Sequence, residues 1–73
     1  MTQFGQSAKG RLYLARALVV NPELVEARIS LGAIDLLEQR SGDAEKQFRQ
    51  ALLADPRSIE AHANLIKLLG TEQ

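Results

Sequence analysis

The sequence predicts an all-α fold of about four short helices. Three observations predict it. The chain repeats itself at an offset of 34 residues: Asn21-Pro22 returns as Asp55-Pro56, Ser7 pairs with Ser41, Ala17 with Ala51, Leu18 with Leu52, Glu26 with Glu60, Ala27 with Ala61 and Leu31 with Leu65. A fixed period of ~20–50 residues marks an array of stacked supersecondary units. Apolar residues also recur at steps of three and four, with no strand-like alternation. Finally, the two prolines and the Ser41-Gly42-Asp43 cluster cut the chain into helix-length pieces joined by short connections, so neighbours in sequence should lie antiparallel.

Taken in order, Gly5 to Ser7 reads as a turn, with Ser7 capping a first helix over about residues 8–20. Arg11, Tyr13, Leu14, Ala17 and Leu18 give it helical spacing, and Gly10 weakens its first turns. Asn21-Pro22-Glu23 ends that helix and opens the next: proline fits the first helical position, Asn21 caps, and Glu23 meets the positive helix end. The second helix is expected from Pro22 or Leu24 to Gln39, with Leu24, Ala27, Leu31, Ile34 and Leu36 or Leu37 as its apolar side. Gly32, interior to it, marks close approach by another helix. Arg40 to Asp43 reads as a turn, Ser41 as the cap of a third helix, and Ala44, Phe48, Ala51 and Leu52 as that helix's buried stripe. Glu45 and Arg49, four apart, suit an exposed ion pair. Asp55-Pro56 opens a fourth helix through Leu69, with Gly70 as its C-cap.

Composition narrows the function. Seventy-three residues, 45% of them hydrophobic, make one small globular domain. Nine Lys and Arg balance nine Asp and Glu, without a basic run, which argues against nucleic-acid binding. The absence of cysteine excludes disulfides and thiolate metal sites. Residues 1–6 lack signal-peptide character, and no apolar stretch approaches the ~18 residues of a membrane span. A cytoplasmic protein without membrane contact is the expectation.

Chemistry-bearing residues are sparse. His62 is the only histidine and has no second ligand three or four residues away. Asp35, inside an apolar helix, is either a functional carboxylate or a residue that faces solvent or pairs with an arginine. Ser30 and Ser41 have no histidine at useful spacing, and the glycines form no phosphate loop. Neither an enzyme nor a cofactor or metal site is expected.

Leu31-Gly32, Ala44, Phe48, Ala51 and Pro56 together resemble the tetratricopeptide repeat, whose unit is a helix-turn-helix of about 34 residues. On this resemblance residues 23–56 are a complete repeat. Residues 7–22, with Gly10, Leu14, Ala17 and Pro22, are the second helix of a partial one; residues 57–70, with Ala61, Leu65 and Leu69, are the first helix of a further one. The chain departs from the family pattern at Arg28 and His62, where a bulky residue is usual, at Asp35 in place of an aromatic, and at Ile66 in place of a small residue. Gly42 also falls three residues later than the usual turn glycine.

The resemblance implies antiparallel hairpins stacked as a short right-handed solenoid, with the first helix of each pair lining a concave face that takes a peptide or helix of a partner protein. That face carries over to Glu26, Ile29, Ser30 and Ala33 on the second helix and to Glu60, Ala63, Asn64 and Lys67 on the fourth. Some family members grip the carboxylate end of heat-shock protein tails; only Asn64 and Lys67 match that residue set here. The expected function is a binding scaffold or adaptor. The alternative is a homo-oligomerisation module, or a segment of a longer array, because a repeat stack of this length leaves Leu12, Leu14, Val19 and Val20 at one end and Ile66, Leu68 and Leu69 at the other without neighbours.

Overall fold

A computed structural model describes the backbone of residues 2–70 and the side chains of residues 8–70. It contains four helices, α1 (Thr2–Val20), α2 (Val25–Leu37), α3 (Ser41–Ala54) and α4 (Ile59–Gly70), and no strand among the described residues. Each helix packs on its neighbours in chain order, α1 on α2, α2 on α3 and α3 on α4. The result is a slab of 31 × 30 × 16 Å with a radius of gyration of 12.0 Å. None of the helices is long and apolar enough to cross a membrane.

The helix ends differ from the sequence expectation, and side-chain hydrogen bonds explain most differences. α1 continues through Gly5 to Ser7, so no turn forms there and Ser7 is not a cap. Pro22 does not start α2. Asn21 Oδ1 accepts the Glu23 N–H at 3.1 Å, an Asx turn that holds residues 21–23 outside the helix and delays α2 until Val25. Asp55 repeats the device, its Oδ1 accepting the Arg57 N–H at 3.1 Å. Ser58, which the sequence reading passed over, then caps α4 by accepting the Ala61 N–H at 3.2 Å. Gly70 is itself helical rather than the cap beyond the helix.

α2 ends two residues early, at Leu37, on the reversal that closes the hairpin. Gln39 N donates to the Leu36 carbonyl at 3.0 Å and Arg40 N to the Asp35 carbonyl at 2.7 Å, the paired bonds of a Schellman motif. Gln39 takes the left-handed conformation this motif requires, with φ at 61°. The turn is therefore complete before Ser41, which becomes the first residue of α3 while Arg40 occupies the cap position without a side-chain bond. Gly42, expected in the turn, is helical.

Ala44, Phe48 and Ala51 of α3 are fully buried, as expected, and Leu52 is half-buried against them. With Ile29 of α2 and Ala61 and Leu68 of α4 they form one core cluster. On α2, Ala27 and Leu31 are buried and Ile34 and Leu36 half-buried, but Leu37 and, at the cap position before the helix, Leu24 are exposed. Gly32 is the keystone. A Cβ added there would meet Phe48 Cζ at 2.8 Å and Cδ1 at 2.9 Å, closer than any real contact. Glycine lowers helix propensity by ~1 kcal/mol relative to alanine, yet burying a phenylalanine contributes about 1.5–3 kcal/mol. Packing wins.

Two stability predictions follow from these positions. Gly32→Ala should destabilise the fold by about 2 kcal/mol despite its better helix propensity, and Phe48→Leu in the same chain should recover part of the loss. A urea melt in which Gly32→Ala is as stable as the parent would contradict the close approach. Gln39→Gly should stabilise by about 1 kcal/mol, because glycine adopts positive φ without steric penalty; a lower denaturation midpoint would contradict the Schellman assignment.

Candidate partner-binding surface

The proposed face begins on α2. Glu26, Ser30 and Ala33 are exposed at steps of four and three, so they share one stripe of the helix. Leu37 continues that stripe and is 76% exposed, so of the alternatives Leu36 and Leu37 it is Leu36 that packs against the core. The four-residue spacing of Leu37 from Ala33 is the signal in the sequence that places it on the surface. Ile29 does not belong to the surface. It lies three residues before Gly32, on the side that meets α3, and at 6% exposure it is part of the core cluster.

α4 presents a matching stripe 34 residues on. Glu60, Ala63 and Lys67 are exposed and Asn64 is half-buried. Small side chains at Ser30, Ala33 and Ala63 keep the two stripes low, while Glu60 in the first turn and Lys67 in the last turn of α4 give the face both charge signs. One amide and one ammonium do not reproduce the paired, bidentate contacts by which carboxylates are held tightly. A tail carboxylate is therefore a poor fit.

The opposite side carries shallow grooves. One, of about 210 Å³, lies between Pro22, Glu23, Arg28, Gln50, Leu53 and Ala54. Arg28 crosses it, donating from Nη1 to Gln47 Oε1 and from Nη2 to the Pro22 carbonyl, both at 3.3 Å. Another, of about 360 Å³, is framed by Arg49, Leu52 and Leu53. His62 repeats part of the Arg28 pattern, its Nε2 lying 2.9 Å from the Pro56 carbonyl. That bond gives the lone histidine a structural role in the turn.

Asp35 is the one buried charge among the described residues, 1% exposed, and it pairs with an arginine. Arg11 reaches from α1 to Asp35 Oδ1 at 2.7 Å and to Glu38 Oε1 at 2.8 Å, tying α1 to the end of α2. The hydrogen bond that Arg11 donates to Asp35, ahead of the one to Glu38, raises the Arg11 pKa against the opposing effect of burial. Because a cation with a raised pKa gives its full contribution below its unfolded value, Arg11 serves as a constant tie at all physiological pH. Asp35 Oδ2 is buried and accepts no hydrogen bond. Glu45 and Arg49 form the expected exposed pair at 2.8 Å. Among the described residues no three His, Cys, Asp or Glu side chains gather as a metal site.

Arg11→Met should destabilise by about 3 kcal/mol, since it leaves a buried carboxylate uncompensated. Adding Asp35→Leu, the residue that the repeat places at position 69, should restore most of that stability; a double variant no more stable than Arg11→Met would contradict this account of the pair. No family model, curated protein or solved structure matches the chain.

Proposed function

We propose that the chain is a protein-interaction scaffold of tetratricopeptide type, holding an extended or helical segment of a partner protein against the exposed stripes of α2 and α4. The observation that carries this reading is the stripe itself: Glu26, Ser30 and Ala33 leave a low, solvent-facing track that ends on the exposed Leu37, and Glu60, Ala63 and Lys67 provide a second track one repeat on. Helices that turn small residues outward and bulky ones inward form shallow troughs, and peptide recognition uses such troughs with one or two apolar anchors. Leu37 is the apolar anchor here.

The frame beneath the tracks supports the same reading. Turn hydrogen bonds recur at 34-residue spacing: Asn21 N to the Ala17 carbonyl at 2.9 Å and Asp55 N to the Ala51 carbonyl at 2.8 Å, Leu24 N to the Asn21 carbonyl and Ser58 N to the Asp55 carbonyl, both at 3.1 Å. A repeated frame presents its faces at a repeated pitch, which suits one ligand engaging both helices. No catalytic step belongs to this reading, and no cofactor.

A displayed peptide library panned against the folded chain tests it. A selected peptide should lose at least tenfold in affinity, about 1.4 kcal/mol, to the double variant Ser30→Arg, Ala33→Arg, whose melting curve should match the parent's because both sites face solvent. Peptides that bind the double variant equally well would remove this face from consideration.

A further inference from the structure

The last turn of α2 is held from two sides. At the reversal into α3, the Arg40 N–H donates to the Asp35 carbonyl at 2.7 Å and the Gln39 N–H to the Leu36 carbonyl at 3.0 Å. From α1, a single nitrogen of Arg11, Nη2, donates to Asp35 Oδ1 at 2.7 Å and to Glu38 Oε1 at 2.8 Å. Arg40 Nε stands 3.7 Å from the same Glu38 oxygen. Leu37 lies in sequence between the two residues that Arg11 grips, and it ends the exposed stripe of Glu26, Ser30 and Ala33. α2 packs against α1 on one side and α3 on the other, so Leu37 is exposed on a helix that already has both neighbours.

We propose that Arg11 is a positioning residue for the peptide track: its grip on Asp35 and Glu38 keeps the last turn of α2 wound, holds Leu37 in line with Ala33, and couples the docking of α1 to the binding of a peptide. This rests on the reading of the α2 face as the peptide site.

Two opposing tendencies meet in that turn. Gln39 has φ at 61°, a left-handed conformation that costs any residue with a Cβ and is relieved when the turn unwinds. Asp35 pulls the same way. Its side chain is 1% exposed, Oδ2 accepts no hydrogen bond, and among the described residues Arg11 is its one charged partner. A buried carboxylate that loses its partner must regain water. Asp35 stands two residues before the end of α2, so its shortest way to water is to unwind the turn that carries it.

Unwinding breaks the bond from the Arg40 N–H to the Asp35 carbonyl. It also takes Leu37 out of step with Ala33, since only helical spacing aligns the two. Arg11 thus decides between a wound turn that presents the apolar anchor and an open one that does not. A peptide on Leu37 favours the wound turn for its own reason. Linkage makes the preference mutual: the factor that Arg11 adds to peptide affinity is the factor that the peptide adds to the docking of α1.

Titration with a selected peptide that is sensitive to Ser30→Arg, Ala33→Arg, combined with amide hydrogen exchange, tests the proposal on chains whose far-UV signal shows them folded. Arg11→Met should weaken the peptide about tenfold and speed exchange of the Gln39 and Arg40 amides by a similar factor, beyond any change in α4. Glu38→Ala, which leaves Asp35 paired and so folds even where Arg11→Met does not, should do both about threefold. Adding Gln39→Gly removes the strain of the wound turn and should return most of the lost affinity to either variant. In the parent, saturating peptide should slow exchange along α1. If a peptide sensitive to Ser30→Arg, Ala33→Arg binds the Arg11 and Glu38 variants as it binds the parent, the coupling is overturned and the face stands. Unchanged exchange at Gln39 and Arg40 in these variants also overturns it, as does a bound peptide that leaves α1 exchange unaltered. If no selected peptide responds to Ser30→Arg, Ala33→Arg, the face itself is removed and the coupling goes with it.

Discussion

Phe48 occupies the space that a side chain at position 32 would take, and the rest of the molecule follows from that substitution of ring for side chain. The close approach it permits brings α3 against α2 tightly enough to bury Ala44 and Ala51 fully on either side of the ring. Those alanines in turn leave room for Ala61 and Leu68 of α4 in the same cluster. A chain of 73 residues has few large apolar groups to spend on a core, and a single domain of this size rarely reaches more than ~3–5 kcal/mol of stability. Close packing of small residues around one aromatic is how it reaches a core without tryptophan.

The connections are specified with comparable economy. Asn21 and Asp55 close identical Asx turns, and each turn is then pinned by the side chain that follows it on the next helix, Arg28 to the Pro22 carbonyl and His62 to the Pro56 carbonyl. Two chemically different residues thus perform one task at equivalent positions. The α2–α3 turn is made differently, from backbone hydrogen bonds around a left-handed Gln39, with a Glu38–Arg40 ion pair at 3.7 Å across it. Arg11 reinforces the neighbourhood of that turn from α1 through Asp35 and Glu38, an interaction with no counterpart one repeat later, where Leu69 stands in place of Asp35.

The helical class, the order of four helices, the α3 stripe and the demand for glycine at position 32 were legible in the sequence, because each rests on local spacing or on residues whose physical options are few. Helix boundaries were less so. The Asn21-Pro22-Glu23 segment satisfies both a helix start and an Asx turn, and only the Asn21 Oδ1 bond decides between them. Gln39 carries no mark of positive φ, and Gly42 offered a false one. Ile29, carried onto the open face by the resemblance, lies in the core instead, because a hydrophobic residue on a helix between two neighbours has two buried directions available and the α3 contact chose one; the same contact takes Leu36 rather than Leu37. Asp35 could be read as buried only once Arg11, 24 residues away, was known to reach it.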